Sequence, residues 1–282
     1  MSVAHRLQRM IMDIETVGRR WEEDFTDGEH AYLEESAQKT RHDPEQREDP
    51  RKSLALHGFT GEVVVVGVFN PDTCRACVFF RLPLDGGPEA LINAFPEIIA
   101  RLRAGGLPLA PEGHVLRCVA VDEEGVLLRQ FWSLFDRKRE GGPYEQVISF
   151  SGRTFDGPFL NHRSFVHDVP VTFNLTGNRY APAHIDLLDR LTQFGITRKW
   201  RLDYVCTTLG IPTPKVAMSG AQVEEYWRAG RIVEILEYAI RDIVAEAMVF
   251  ARYAAVFGST DGIAPVSPES PCAKSVAALT PR

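Results

Sequence analysis

The 282-residue sequence predicts an α/β fold: one domain with a mixed β-sheet flanked by helices and a charged insertion after the first strand. Three observations predict it. Short apolar runs and longer helical patterns alternate in the order strands, helix, strand, helix, strand, helices. Glu62-Val-Val-Val-Val-Gly-Val-Phe69 is a β-branched run of the kind that sits inside a sheet covered on both faces. Residues 223–257 carry Ile232, Ile235, Leu236, Ala239, Ile240, Ile243, Val244 and Met248 at helical spacing, with a bend expected near Gly230.

The first strand is Ile11-Met-Asp13-Ile14-Glu15-Thr16. Alternate side chains of a strand share a face, so Asp13 and Glu15 point one way and Ile14 points into the core. From Arg19 to Lys52 the chain is dense in both charges and poor in aliphatics, a mobile insertion in which 31–39 could form a surface helix. The run at 62–69 turns at Asn70-Pro71-Asp72 and pairs as a hairpin with Ala76–Leu82. A helix is expected over Pro88–Arg103, a strand over Val115–Ala120 and a helix over Glu123–Arg137. The strand Gln146–Phe150 then delivers the chain to a turn at Gly152, with a helix starting near Asp156. Further expectations are a strand within Val171–Tyr180, a strand or strand-to-helix step at Ala183–Leu188, and a short helix capped by Asp203 and stopped by Gly210. The long helix ends at Gly258, which leaves one folded unit at 1–257 and a disordered tail at 258–282.

Composition narrows the function classes. A net charge of −6 speaks against a protein that coats nucleic acid electrostatically, though not against an enzyme that grips a few nucleotides where cations supply the positive charge. No apolar run approaches the roughly 20 residues of a membrane span, and no secretory leader precedes Asp13. Five scattered cysteines read as free thiols in a reducing, cytoplasmic compartment. Cys74-x-x-Cys77 lacks a second Cys or His pair at finger spacing and is not read as a zinc site.

The chemistry lies in the acids. Two carboxylates side by side at the end of an apolar strand repel each other unless a hard cation such as Mg²⁺ or Mn²⁺ sits between them. Asp156 stands at a strand-to-helix turn, where the helix dipole alone would favour an acid. Tyr238 and Asp242 lie four apart on the long helix and share a face.

Together these motifs resemble the DEDDy branch of the DnaQ-like 3′–5′ exonucleases, in the ribonuclease H-like superfamily. The nearest resemblance is to the exonucleases related to the proofreading domain of family B DNA polymerases. The family's first motif appears as Asp13-Ile14-Glu15-Thr16. Its second, usually Asn-Gly-x-x-Phe-Asp, appears as Ser151-Gly152-Arg153-Thr154-Phe155-Asp156, and its third as Tyr238-Ala239-Ile240-Arg241-Asp242. The resemblance covers about residues 8–257 outside the insertion. It implies two divalent ions, Mg²⁺ or Mn²⁺, held by Asp13, Glu15, Asp156 and Asp242, with Tyr238 orienting the attacking water. It also implies contacts from Ile14, Thr16, Ser151, Gly152, Phe155 and Leu160 to a single-stranded 3′ end. Phe155 and Leu160 could equally pack in the core. Ser151 departs from the family's Asn, so the preference for DNA or RNA does not carry over.

Arg198-Lys-Trp200-Arg201 is compatible with a single-strand contact or with a solvated loop, and His184-x-Asp186 is read as structural. No polymerase or helicase module is visible, so a proofreading or repair role implies a partner in trans. An RNA-trimming nuclease and a catalytically silent scaffold remain the alternatives.

Overall fold

The computed structural model describes residues 8–39, 49–82, 97–98, 100–105, 107–108, 116–213 and 218–279. Its frame is a six-stranded sheet, helix-covered on both faces, as expected of an α/β, ribonuclease H-like chain. The strands are β1 (Arg9–Gly18), β2 (Gly61–Asn70), β3 (Arg75–Arg81), β4 (Leu116–Val121), β5 (Gln146–Ser149) and β6 (His184–Asp186), in the spatial order β4-β3-β2-β1-β5-β6. Only β2 runs against the others: it pairs antiparallel with β1 and β3, while β4, β5 and β6 pair in parallel.

The helices are α1 (Trp21–Asp24), α2 (Asp27–Lys39), α3 (Glu124–Trp132), α4 (Asp156–Val166), α5 (Leu187–Leu191), α6 (Leu202–Leu209), α7 (Val223–Arg228), α8 (Ile232–Asp261) and α9 (Pro271–Ala277). The period-2 alternation of β1 splits its side chains between two cores. Met10, Met12 and Ile14 pack with α3 and α4, while Ile11 and Val17 pack with α8. Asp13 and Glu15 therefore belong to the α8 face. Gly67 stands opposite Asp13 in β2, and a Cβ there would come within 3.0 Å of Ile243. The missing side chain lets α8 press onto the sheet beside the acids.

On the other face Glu124 is a buried anchor. It accepts from Arg163 Nε at 2.9 Å and Nη2 at 2.6 Å, from the Val63 amide at 2.7 Å, and pairs with His167 Nε2 at 2.8 Å. Burial alone would raise its pKa, but these partners hold it down at about 2. Arg163→Met leaves a buried carboxylate without its cation, so it is expected to cost about 3–5 kcal/mol of stability in urea unfolding. A loss below about 1 kcal/mol would show that the network adds little.

Several expectations change. Residues 171–180 form no strand: between α4 and β6 the chain crosses as turns, and the apolar signal came from Leu175, which is buried as an anchor. Arg201, not Asp203, precedes α6, and Asp203 lies in its first turn, while Gly210 ends it with φ +71° as expected. The insertion is partly helical, with α2 starting earlier than expected, at Asp27. The helix expected over 88–103 lies mostly outside the described residues, and its described part, 97–98 and 100–103, is helical.

Gly230, at φ +70°, separates α7 from α8 rather than merely bending one helix. α8 continues past Gly258 to Asp261, and residues 262–279 beyond it are packed rather than disordered, with Ile263, Val266, Cys272 and Val276 buried. Arg9 clamps that segment: its guanidinium donates to the Ala264 and Pro265 carbonyls while pairing with Asp72. α8 is also long and apolar enough, by length and composition, to cross a membrane. It is instead the central helix of the core, with 67% of its most apolar window buried.

Candidate active site

Three separate elements bring the predicted acids together. Ligand atoms of Asp13, Glu15 and Asp242 all lie within 4.8 Å of one another, among the described residues the one such set of three. A bulge in β1 between Glu15 and Thr16 shifts its register against β2 at this point. Asp156 arrives from the first turn of α4. Its Oδ1 accepts the Ile14 amide at 3.0 Å, so the carboxylate reaches across to β1 instead of serving only its own helix.

The turn that places Asp156 is tightly determined. Asp186 caps α5 and accepts the amides of Ser151 and Arg153, both at 3.0 Å, which ties the second motif to β6. His184 is buried, its Nδ1 donating to the Leu175 carbonyl and its Nε2 paired with Ser149 Oγ, and burial first of all lowers its pKa to about 4. The His184-x-Asp186 step is therefore structural, as read. A Cβ at Gly152 would fall 2.4 Å from Ser149 Oγ, so the motif needs glycine there for close approach. Ser151 holds φ +73°, a conformation that asparagine adopts more easily than serine.

The electrostatics are those of acids without cations. Burial raises Asp13 well above the usual carboxylate range, followed by repulsion from Asp156 and the hydrogen bond that Asp13 donates to it. Burial also raises Glu15, with Asp13, Asp242 and Asp156 adding repulsion, and Glu15 Oε1 has no hydrogen-bond partner. Asp156 is pushed up to about 7 by burial, against the amides and the Asp13 hydrogen bond that favour its charged form. Orphaned carboxylate oxygens in an all-oxygen cluster are the donor set of a hard divalent cation.

Tyr238 is buried beside this group, and its hydroxyl donates to Asp242. Burial first, then Asp242 and Glu15, keep that phenol protonated well above its usual range.

The side chains of Ile14 and Leu160 are buried in the α3/α4 core, as the strand alternation has Ile14 and as one of the two readings has Leu160. Thr16 commits its hydroxyl to the Ala55 carbonyl at 2.7 Å. Phe155 is partly buried and tilted against Phe159 at 5.7 Å. One residue was not read at all. Glu246 lies one turn past Asp242 on α8, is 2% exposed, and has an unpartnered Oε2. The available signal was its spacing of four from Asp242, hidden in an apolar helical run.

Fold and site together define an α/β protein built around a buried all-carboxylate centre. Residues 114–266, just over half of the chain, match the family described as "Predicted 3'-5' exonuclease related to the exonuclease domain of PolB", and the chain belongs to that family. The match includes Asp156, Tyr238 and Asp242, while Asp13 and Glu15 precede it. No curated protein gives a significant sequence match. Among solved structures the chain is similar to the family B DNA polymerase of the hyperthermophilic archaeon Pyrobaculum calidifontis, with 19% identity and a TM-score of 0.49. That similarity covers 97% of this chain and 27% of the polymerase, so the chain spans about a quarter of its length.

Proposed function

We propose that this chain is a two-metal-ion 3′–5′ exonuclease that removes nucleoside monophosphates from single-stranded nucleic acid, DNA being favoured. The observation that carries the reading is the gathering of Asp13, Glu15 and Asp242 within 4.8 Å, with Asp156 hydrogen-bonded to Asp13. Divalent cations, Mg²⁺ or Mn²⁺, would neutralise the phosphodiester and lower the pKa of the attacking water. Asp13, Glu15, Asp156 and Asp242 would hold the ions, which would activate the water and stabilise charge on the leaving 3′ oxygen. Tyr238 would orient the water. A phenol held protonated is a hydrogen-bond donor rather than a base, which favours positioning over proton abstraction.

The strand contact read at Arg198–Arg201 has support in the aromatic stack around it. Trp200 and Tyr204 stack at 5.1 Å and 11°, Arg198 lies 4.8 Å over Trp200, and Tyr204 is 56% exposed. An exposed tyrosine stacked on a half-buried tryptophan and flanked by cations suits unpaired bases and their phosphates. All five cysteines are free, which suits a reducing cytoplasm. Proofreading or repair would need a polymerase or repair partner in trans.

The test uses 5′-labelled single-stranded DNA and RNA oligonucleotides in Mg²⁺, Mn²⁺ or EDTA. The expected result is a ladder shortening from the 3′ end in metal and intact strand in EDTA. Faster loss of RNA than of DNA would favour the RNA-trimming reading, since the same centre serves either sugar. Folded protein that cleaves neither strand in any metal would reject the nuclease and leave the scaffold.

A further inference from the structure

Glu246 is not explained by the fold or by the four acids of the proposed centre. It sits on α8 one turn beyond Asp242, between Ile243, Ala247 and Phe250, all buried. Packing at such a position calls for an apolar side chain, and a buried carboxylate is tolerated only with a partner. Glu246 Oε2 has none, and the charged groups acting on the side chain are Asp13, Asp156, Asp242 and Asp186, all of its own sign. Spacing of four on one helix turns it toward the same side as Asp242. The missing partner is thus a positive group reached from the side where the other acids converge.

Glu246 lies outside the trio whose ligand atoms fall within 4.8 Å of one another and, unlike Asp156, makes no hydrogen bond to it, so contact through a bound water is what the geometry offers. Magnesium and manganese centres of this type keep water ligands, and those waters need acceptors. We propose that Glu246 is a positioning residue of the divalent-metal centre, its carboxylate accepting hydrogen bonds from water bound to the cations that Asp13 and Asp242 hold. The inference rests on the reading of the four acids as a metal centre. It adds a fifth carboxylate that tunes how tightly the ions are held.

The test reads metal binding rather than cleavage. Mn²⁺ is titrated into wild type and Glu246→Gln, with free ion followed by electron paramagnetic resonance, and thermal unfolding is recorded in EDTA and in Mn²⁺. Losing an outer acceptor is expected to weaken Mn²⁺ binding by about 10–100-fold. In EDTA the variant should melt higher than wild type, because a like charge has left the cluster, and Mn²⁺ should raise its melting temperature less. A residue that only packs would shift both melts equally. Glu246→Met, which suits the apolar neighbours, reads the same loss if the glutamine variant does not fold. Wild-type Mn²⁺ affinity in the variants would overturn the inference while leaving the metal centre intact. Absence of Mn²⁺ binding in the wild type would overturn both.

Discussion

Asp13→Asn is expected to abolish cleavage while making the metal-free protein more stable. The two effects have opposite signs because one carboxylate serves two states. With cations bound, Asp13 would be one of their ligands, and losing a charge that stabilises the reacting centre lowers the rate by about 10²–10³-fold. Without cations, the same carboxylate is pressed between Glu15 and Asp156, and its pKa is raised by burial first and that repulsion second. Asparagine keeps the size and can still donate a hydrogen bond to Asp156, so the fold loses a repulsion and little else. The melting temperature in EDTA should rise by about 2–4 °C, the shift that roughly 1 kcal/mol produces in a chain of 150–250 residues. Single-turnover cleavage of a 5′-labelled oligonucleotide and melts in EDTA measure both. A variant that keeps a tenth of the activity would remove Asp13 from the centre. One that melts lower in EDTA would show that the acids are not strained.

The same logic explains what the sequence could and could not reveal. Asp13, Glu15, Asp156, Tyr238 and Asp242 stood out as candidates because each has a local landmark: a pair of acids within an apolar strand, which the structure extends past them to Gly18, a Gly152 turn, and a helical spacing of four. Hairpin pairing of β2 with β3 followed from the Asn70-Pro71-Asp72 turn. The orientation of whole elements was not local. Whether Leu160 faces a ligand or the core depends on how α4 lies against β1 and β2, and it faces the core. Glu246 sits as one polar residue in an apolar helical run, and its burial at 2% exposure depends on how α8 lies against the sheet, where Gly67 admits Ile243. The stretch after Gly258 reads as a tail by its small residues. Its residues 262–279 are packed because a few apolar side chains spaced along them, Ile263, Val266 and Val276, meet the core while Arg9 takes up two of their carbonyls.

Raising the pH is expected to destabilise the metal-free protein and to strengthen its hold on divalent ions. Unfolded carboxylates titrate near about 4. In the fold Asp156 stands at about 7, with Asp13 and Glu15 also raised. Through that window the folded state binds more protons than the unfolded one, so stability falls as pH rises; it is complete below about 4 and lost on passing about 7. Two other groups act in the opposite sense. His184, lowered to about 4, adds stability that is lost as pH drops below its unfolded value. Cys74, lowered to about 7 chiefly by the hydrogen bond from the Cys272 thiol, adds stability as pH rises through 7. Comparing wild type with Asp156→Asn in EDTA cancels both. Wild type should lose ground to the variant steadily between about pH 4 and about pH 8. Cations displace the protons that Asp13, Glu15 and Asp156 hold, so Mg²⁺-induced stabilisation of the wild type should grow over the same range. A difference between the two proteins that stays constant with pH would mean that Asp156 titrates as an ordinary exposed carboxylate, and the buried proton-for-metal exchange would have to be abandoned.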